Sequence, residues 1–247
     1  MAKEKSEQLN YRKGLKDGLP IGLGYLSVSI AFGVQASILG LPVFLSTLIS
    51  LTNLTSAGQL AGLQVIAMAS GGVFISLILE MIVSQLVINA RYFLMGISLS
   101  QKLDESFTLG KRFFYAMFIT DEIFAVGVSQ KQVNTKYFLG LATLPYIGWA
   151  LGTIIGAVAS NILPSFISEA LGVALYAMFI AIITPPSMKN KGVFFAVLIS
   201  AVLSCALYFI PWFNGVSTGF KVIICALVSS IVMALVLPVK AGEQNVS

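Results

Sequence analysis

Eight stretches at about 18–41, 42–69, 72–99, 112–130, 137–160, 164–186, 192–210 and 217–239 carry very few charges, and each is close to twenty residues or longer. That pattern decides the solvent. A helix needs about 20 apolar residues to cross a hydrocarbon core of about 30 Å. Only 10% of the 247 residues are charged and 57% are hydrophobic, with a mean hydropathy of +0.92. An ordinary soluble domain carries about 25% charged residues. The expected fold is therefore an all-α polytopic membrane protein with seven to eight transmembrane segments. Little chain remains for a soluble catalytic domain.

The sequence contains no histidine. Metal sites built on imidazole, Ser-His and Cys-His nucleophiles and His proton relays are thereby excluded. No Gly-x-x-x-x-Gly-Lys-Ser/Thr phosphate loop occurs, which removes ATP hydrolysis by that route. No enzyme, cofactor or metal is expected. Cys205 and Cys225 lie inside apolar stretches without metal-ligand spacing and read as small buried hydrophobes. Residues 1–17 form a basic segment carrying Lys3, Lys5, Arg12, Lys13 and Lys16, which suits anionic lipid on the cytoplasmic side better than nucleic acid. No signal-peptide pattern precedes the first apolar run, so that run is expected to stay in the mature protein. Residues 18–239 are expected to form a single transmembrane domain and 240–247 a short polar tail. The implied location is a prokaryotic cell membrane with the N-terminus cytoplasmic.

The second segment is irregular. Thr52, Asn53, Leu54, Thr55, Ser56, Ala57, Gly58 and Gln59 put polar and small groups at its centre. In hydrocarbon an interrupted helix is tolerated only where it lines a cavity or packs on protein. Transporters use such breaks to aim half-helix ends at substrate, while small residues also serve plain helix packing. Eight spans would place ten loop and tail cations on the N-terminal side and four, Lys102, Lys111, Arg112 and Lys221, opposite. A re-entrant second segment would give seven spans and nine against five. A short internal repeat is also visible. Pro20, Gly22, 33–39 and 42–44 recur as Pro145, Gly148, 156–163 and 164–166. Eight spans would make these repeats parallel, and seven would make them inverted.

Ionisable groups inside a membrane mark a function or a buried partner. Here they are Glu80, Arg91, Asp121 and Glu122, with Glu169 near a segment end. Glu80 and Arg91 are eleven apart, which places them on one helix face about 16 Å apart along the axis. Arg91 is always protonated and needs an acid, and a salt bridge to the Thr120-Asp121-Glu122 segment is the cheapest arrangement. Adjacent helical residues diverge by about 100°, so one acid is expected to face Arg91 and the other to be free for titration or cargo. The same pair could also be a purely structural brace.

In order along the chain, Gly14, Gly18-Leu19-Pro20, Phe32-Gly33, Ala57-Gly58-Gln59, Asn89-Ala90-Arg91-Tyr92, Thr120-Asp121-Glu122 and Gly148-Trp149 through Gly152-Thr153 to Gly156 resemble the AzlC-type branched-chain amino-acid permeases. The resemblance covers nearly the whole chain. It implies the large subunit of a two-component exporter working with a small AzlD-type membrane partner. The cargo would be leucine, isoleucine or valine, with methionine as a further candidate. Because the chain carries no phosphate loop, a proton-coupled secondary exporter is the more economical reading of its drive. A passive amino-acid or small-solute channel and a non-transporting scaffold subunit are the alternatives. Carried over by position, Ala57, Gly58 and Gln59 would form the broken-helix turn, Asn89 and Arg91 a polar constellation and Asp121-Glu122 the acidic one. Together with Asn53 and Ser56 of the interrupted stretch, the first five are the candidate substrate-binding or translocation residues, and Glu80 joins Asp121 and Glu122 as candidate proton-coupling or ion-pair groups. Ser56 stands where the family often has Gly, and Tyr92 where a His is common.

Overall fold

A computed structural model describes residues 9–68, 74–160, 162, 164–213, 215–216 and 218–237. Lys3 and Lys5, Asn161 and Leu163 of the repeat and the 240–247 tail lie outside the described residues. The chain is an all-α membrane protein. Its helices are α1 (Tyr11–Ile38), α2 (Val43–Thr52), α3 (Ala57–Met68), α4 (Phe74–Ser100), α5 (Leu109–Ala116), α6 (Asp121–Ser129), α7 (Thr135–Ala159), α8 (Ser165–Lys189), α9 (Lys191–Phe209) and α10 (Thr218–Val236). Among the described residues, four helices are long and apolar enough to cross a membrane: Tyr11–Ile38, Leu77–Ser100, Thr135–Ala159 and Lys191–Phe209. Within the described residues each of the eight apolar segments is helical, six as continuous helices and two as broken pairs. Two compact units divide the chain, Met1–Leu63 with Asn89–Leu175 and Gln64–Ile88 with Tyr176–Ser247.

The first unit is organised by α1 and α7. Each starts from an asparagine cap, Asn10 accepting from the Lys13 N–H and Asn134 from the Tyr137 N–H, and each carries an internal proline, Pro20 and Pro145. Glycine lines the seam between them. Gly14 lies against Gly140 and Leu141, Gly22 against Gly148, Gly152 against Leu26, and Gly156 against Ile30. A methyl group on most of these glycines would collide with the facing backbone, as at Gly33 with the Thr153 carbonyl. Contacts advance in the same direction along both helices, so α1 and α7 are parallel. Ser37 and Ser160, matched in the repeat, close the far end at 2.6 Å. In lipid, where apolar burial drives little helix association, such backbone approach is how helices adhere.

The fourth apolar segment, 112–130, differs from a continuous pass. It is a hairpin of α5 and α6 broken at 117–120. Its two bases meet at the starting end of α7, where Asp104 N–H donates to the Val133 carbonyl at 3.0 Å and Val133 N–H to the Lys102 carbonyl at 2.7 Å. Asn134 Nδ2 donates to the Leu9 carbonyl there at 2.7 Å. The break is stable because Thr120 caps α6, accepting from Ile123 N–H, and Asp121 and Glu122 occupy the positive first turn. The base is a core of Leu99, Phe107, Ile123, Val133, Tyr137, Phe138 and Leu141.

The second segment is a hairpin of the opposite sense, broken at 53–56 as its polar residues lead one to expect. Its α2 enters beside Ala36 and Leu41. Its turn reaches Tyr25 and Trp149 through Leu54, and α3 returns to Phe32 and Ala36 through Leu60 and Leu63. With lengths of 8 to 12 residues, none of the four half-helices could cross about 30 Å alone. Parallel α1 and α7 are therefore reached through two hairpins rather than two full passes. In the second unit α9 and α10 pack together around Leu207, Ile223 and Cys225. Cys205 differs from expectation, being exposed on α9 while Cys225 is buried.

Candidate functional site

The two hairpin turns converge on the middle of the α1–α7 pair. Tyr25 is fourteen residues into the 28-residue α1, and Trp149 fourteen into the 25-residue α7. Their rings meet edge to face, with centroids 5.3 Å apart. Tyr146 touches both turns. Its hydroxyl donates to the Leu51 carbonyl at 2.8 Å, and its ring contacts Phe118 at 5.2 Å.

The α5–α6 turn supplies the acids. Arg91 Nη1 pairs with Asp121 Oδ2 at 3.0 Å, as the sequence predicts. Arg91 and Asp121 side chains remain 40% and 34% exposed. Arg91 Nη2 donates to the Tyr92 hydroxyl at 3.2 Å and its guanidinium lies 5.0 Å from the Tyr92 ring centre. The buried Nε of Arg91 has no acceptor among the described residues. Asp121 and Glu122 do diverge, but Glu122 is not free. It accepts a short hydrogen bond from the Tyr25 hydroxyl and so ties the turn to α1.

The α2–α3 turn is held by polar side chains. Gln59 is buried, its Oε1 accepting from Trp149 Nε1 at 3.0 Å and its Nε2 donating to Ser50 Oγ at 3.3 Å. Ser50 Oγ and Thr153 Oγ1 are 2.7 Å apart. Gln59 is thus a latch between turn and α7, with both polar atoms engaged. Asn53 accepts from Thr55 Oγ1 at 2.9 Å. Ser56 holds φ +21°, a conformation more natural to glycine. Ala57 and Gly58 open α3, so this helix, like α6, starts mid-way along the α1–α7 pair and directs a partial positive charge there.

Asn89 lies two residues before Arg91 on α4. Glu80 is buried with Ser84 on the part of α4 that belongs to the second unit, three turns from Arg91. The structure joins Arg91 to Asp121, and Glu122 to a group the sequence does not flag, Tyr25. Tyr25, Tyr146 and Ser50 read as ordinary members of apolar helices. The break at 117–120 has a signal in Thr120-Asp121-Glu122, a cap followed by an acidic first turn.

Residues 20–163 match the profile of a family described as AzlC protein. An inner membrane protein of Escherichia coli strain K12, YgaZ, is 26% identical over 91% of this chain and 91% of its own length. An uncharacterized membrane protein of Archaeoglobus fulgidus is 30% identical over 80% of this chain and 84% of its own. A protein of Bacillus subtilis strain 168 named branched-chain amino acid transport protein AzlC is 25% identical over 73% and 69%. No solved structure matches the chain.

Proposed function

Because the chain belongs to the AzlC protein family, we propose that it is the large membrane subunit of a branched-chain amino-acid exporter, coupled to protons and working with a small AzlD-type partner. The Bacillus relative's printed name supports the cargo class. The observation that carries the reading is the meeting of two oppositely entering hairpin turns at one level, one bearing the Arg91–Asp121 pair. Half-helix starts and a partly exposed ion pair at mid-membrane suit a zwitterion with an apolar branch.

In this mechanism the carboxylate of the cargo takes the Arg91 guanidinium or the start of α3, and the ammonium takes an acid of the α6 start. Protonation of Asp121 or Glu122 removes the charge that holds Arg91 or the ammonium. Cargo release is thereby linked to proton uptake. Asn53, Ser56, Ala57, Gly58 and Asn89 would shape the passage, while Gln59 would hold the α2–α3 turn to α7. Glu80 would serve as a second ionisable group further along α4.

Charge distribution supports a cytoplasmic N-terminus. If both hairpins return to the side they enter from, Lys102, Lys111 and Arg112 join the N-terminal side. With α8, α9 and α10 crossing in turn, the loop and tail balance becomes thirteen against Lys221 alone. Residues 1–17 and 240–247 then face the cytoplasm, a stronger bias than any continuous-pass count provides.

The test is efflux of preloaded leucine, isoleucine, valine and methionine from cells carrying the chain with and without its partner, under an imposed and then a collapsed proton gradient. Uphill, gradient-dependent efflux is expected with the partner present. Efflux that only runs downhill would identify a passive channel. Equal fluxes with and without the chain would identify a non-transporting subunit.

A further inference from the structure

The formal charges at the α5–α6 turn do not cancel. One guanidinium, Arg91, stands beside two acids, Asp121 and Glu122. Arg91 Nη1 lies 3.0 Å from Asp121 Oδ2, so its charge is matched by that acid. Glu122 makes no ion pair among the described residues. The titratable groups on the elements packed around it are Tyr25 of α1, Tyr92 of α4 and Tyr146 of α7, all neutral at ordinary pH. Of these only the Tyr25 hydroxyl bonds to Glu122. That of Tyr92 accepts from Arg91, and that of Tyr146 donates to the Leu51 carbonyl. The charged side chains of α1, α5 and α7 lie within the first two turns of those helices, away from the α6 start. One negative charge is therefore left over, and it belongs to Glu122.

The two oxygens of Glu122 are differently engaged. Oε2 accepts from the Tyr25 hydroxyl, whereas Oε1 makes no hydrogen bond among the described residues. The residue is only half-buried. A carboxylate charge at membrane depth is costly without a counter-charge. A proton on Oε1 abolishes that charge, and an ammonium against Oε1 balances it. Both need the same oxygen while Tyr25 keeps the other. A protonated Oε1 is an uncharged donor and no longer holds an ammonium.

We propose that Glu122 is the coupling residue, its Oε1 taking either one proton or the ammonium of one amino acid and never both, while the Arg91–Asp121 pair stays ionised throughout. The inference rests on the transport reading and deepens it by naming the acid and the number of protons. The amino acid leaves with its ammonium on ionised Glu122. An external proton then takes Oε1 and the ammonium departs. The neutral acid returns, and its proton passes to cytoplasmic water. One proton enters for each amino acid that leaves. The loaded site bears the leftover negative charge and the returning site none, so each cycle moves one elementary charge.

The test uses sealed membrane vesicles from cells carrying the full chain and its small partner, loaded with radiolabelled L-leucine and compared with vesicles lacking the chain. A pH difference of one unit, acid outside, is expected to sustain about tenfold more leucine outside than inside. At equal pH, a potential of about 60 mV, negative inside, set by potassium and valinomycin, should sustain the same ratio. Glu122→Gln should need about tenfold more leucine for half-maximal flux, as for loss of a charge-assisted bond. Its remaining flux should run only downhill and ignore both gradients, and Glu122→Asp should restore the response to both. Proton-driven flux that survives Glu122→Gln overturns the assignment and leaves the transport reading standing. If Glu122→Gln does not fold, the unsubstituted chain still decides: a ratio that follows pH and ignores the potential, or a hundredfold ratio per pH unit, overturns the single uncompensated charge. Unsubstituted vesicles that move no leucine would remove the transport reading and this assignment together.

Discussion

Replacing Arg91 separates a working ion pair from a brace. A fully exposed pair contributes about 0–1 kcal/mol, while breaking a buried one costs about 3–5 kcal/mol because a charge is stranded. With side chains 40% and 34% exposed, Arg91–Asp121 lies between these cases. Arg91→Gln alone is expected to destabilise by about 2 kcal/mol, and Asp121→Asn by a similar amount. The double variant strands no charge. It should therefore recover about 1–2 kcal/mol of the summed loss, as coupled neighbours do. Thermal unfolding of purified protein in detergent reads the stability, and leucine efflux normalised to abundance reads the function. All three variants should lose efflux at least about tenfold, a barrier or affinity change of about 1.4 kcal/mol, including the double variant whose stability has returned. A double variant that recovers stability and efflux together would refute the reasoning, because the pair would then only hold α4 against the hairpin.

Four further outcomes follow from the geometry. Gly156→Val drives carbon into the Ile30 carbonyl and should cost at least about 1–3 kcal/mol in melting experiments, while Gly24→Ala, whose new carbon meets open space, should cost little. Ser56→Gly relieves a non-glycine φ of +21° and should raise the melting temperature, with a gain of about 1 kcal/mol. Trp149→Phe leaves Gln59 Oε1 buried without its donor and should cost about 1–3 kcal/mol, much of it recovered by adding Gln59→Leu, as thermal unfolding of the two variants will read. Single cysteines at Lys111 and Lys131 should react with an impermeant thiol reagent from one face of the membrane and a cysteine at Lys221 from the other; Lys111 and Lys221 reacting from the same face would overturn the hairpin topology.

Much of this was legible in the sequence, and the remainder was hidden for definite reasons. The break at 53–56 shows because Asn53, Thr55, Ser56 and Gln59 interrupt an apolar run. The break at 117–120 is hidden because Met117, Phe118 and Ile119 are as apolar as any spanning helix, so hydropathy passes smoothly over a reversal of direction. Only the capping chemistry of Thr120-Asp121-Glu122 betrays it. The Arg91–Asp121 pair follows from electrostatics alone, since a guanidinium in a membrane needs an acid and few are present. Glu122 could not be matched in that way. Its partner Tyr25 is 97 residues distant, and a tyrosine in an apolar helix looks like packing until its hydroxyl has a neighbour. Gln59 has the converse history, a polar residue that looked available and is held by Trp149 and Ser50.

The glycine seam has a mechanical consequence. Helices separated by side chains can creep past each other by exchanging rotamers, but between α1 and α7 there is almost nothing to exchange. A slip of one residue, about 1.5 Å, would carry Leu15 or Leu23 into a slot shaped for hydrogen, against a carbonyl that belongs to the opposite backbone. The pair therefore behaves as a single stiff rod that transmits force without absorbing it. Work done at one end of the molecule must then be taken up by the short half-helices hinged at 53–56 and 117–120, whose turns are held to the rod by a few side-chain hydrogen bonds.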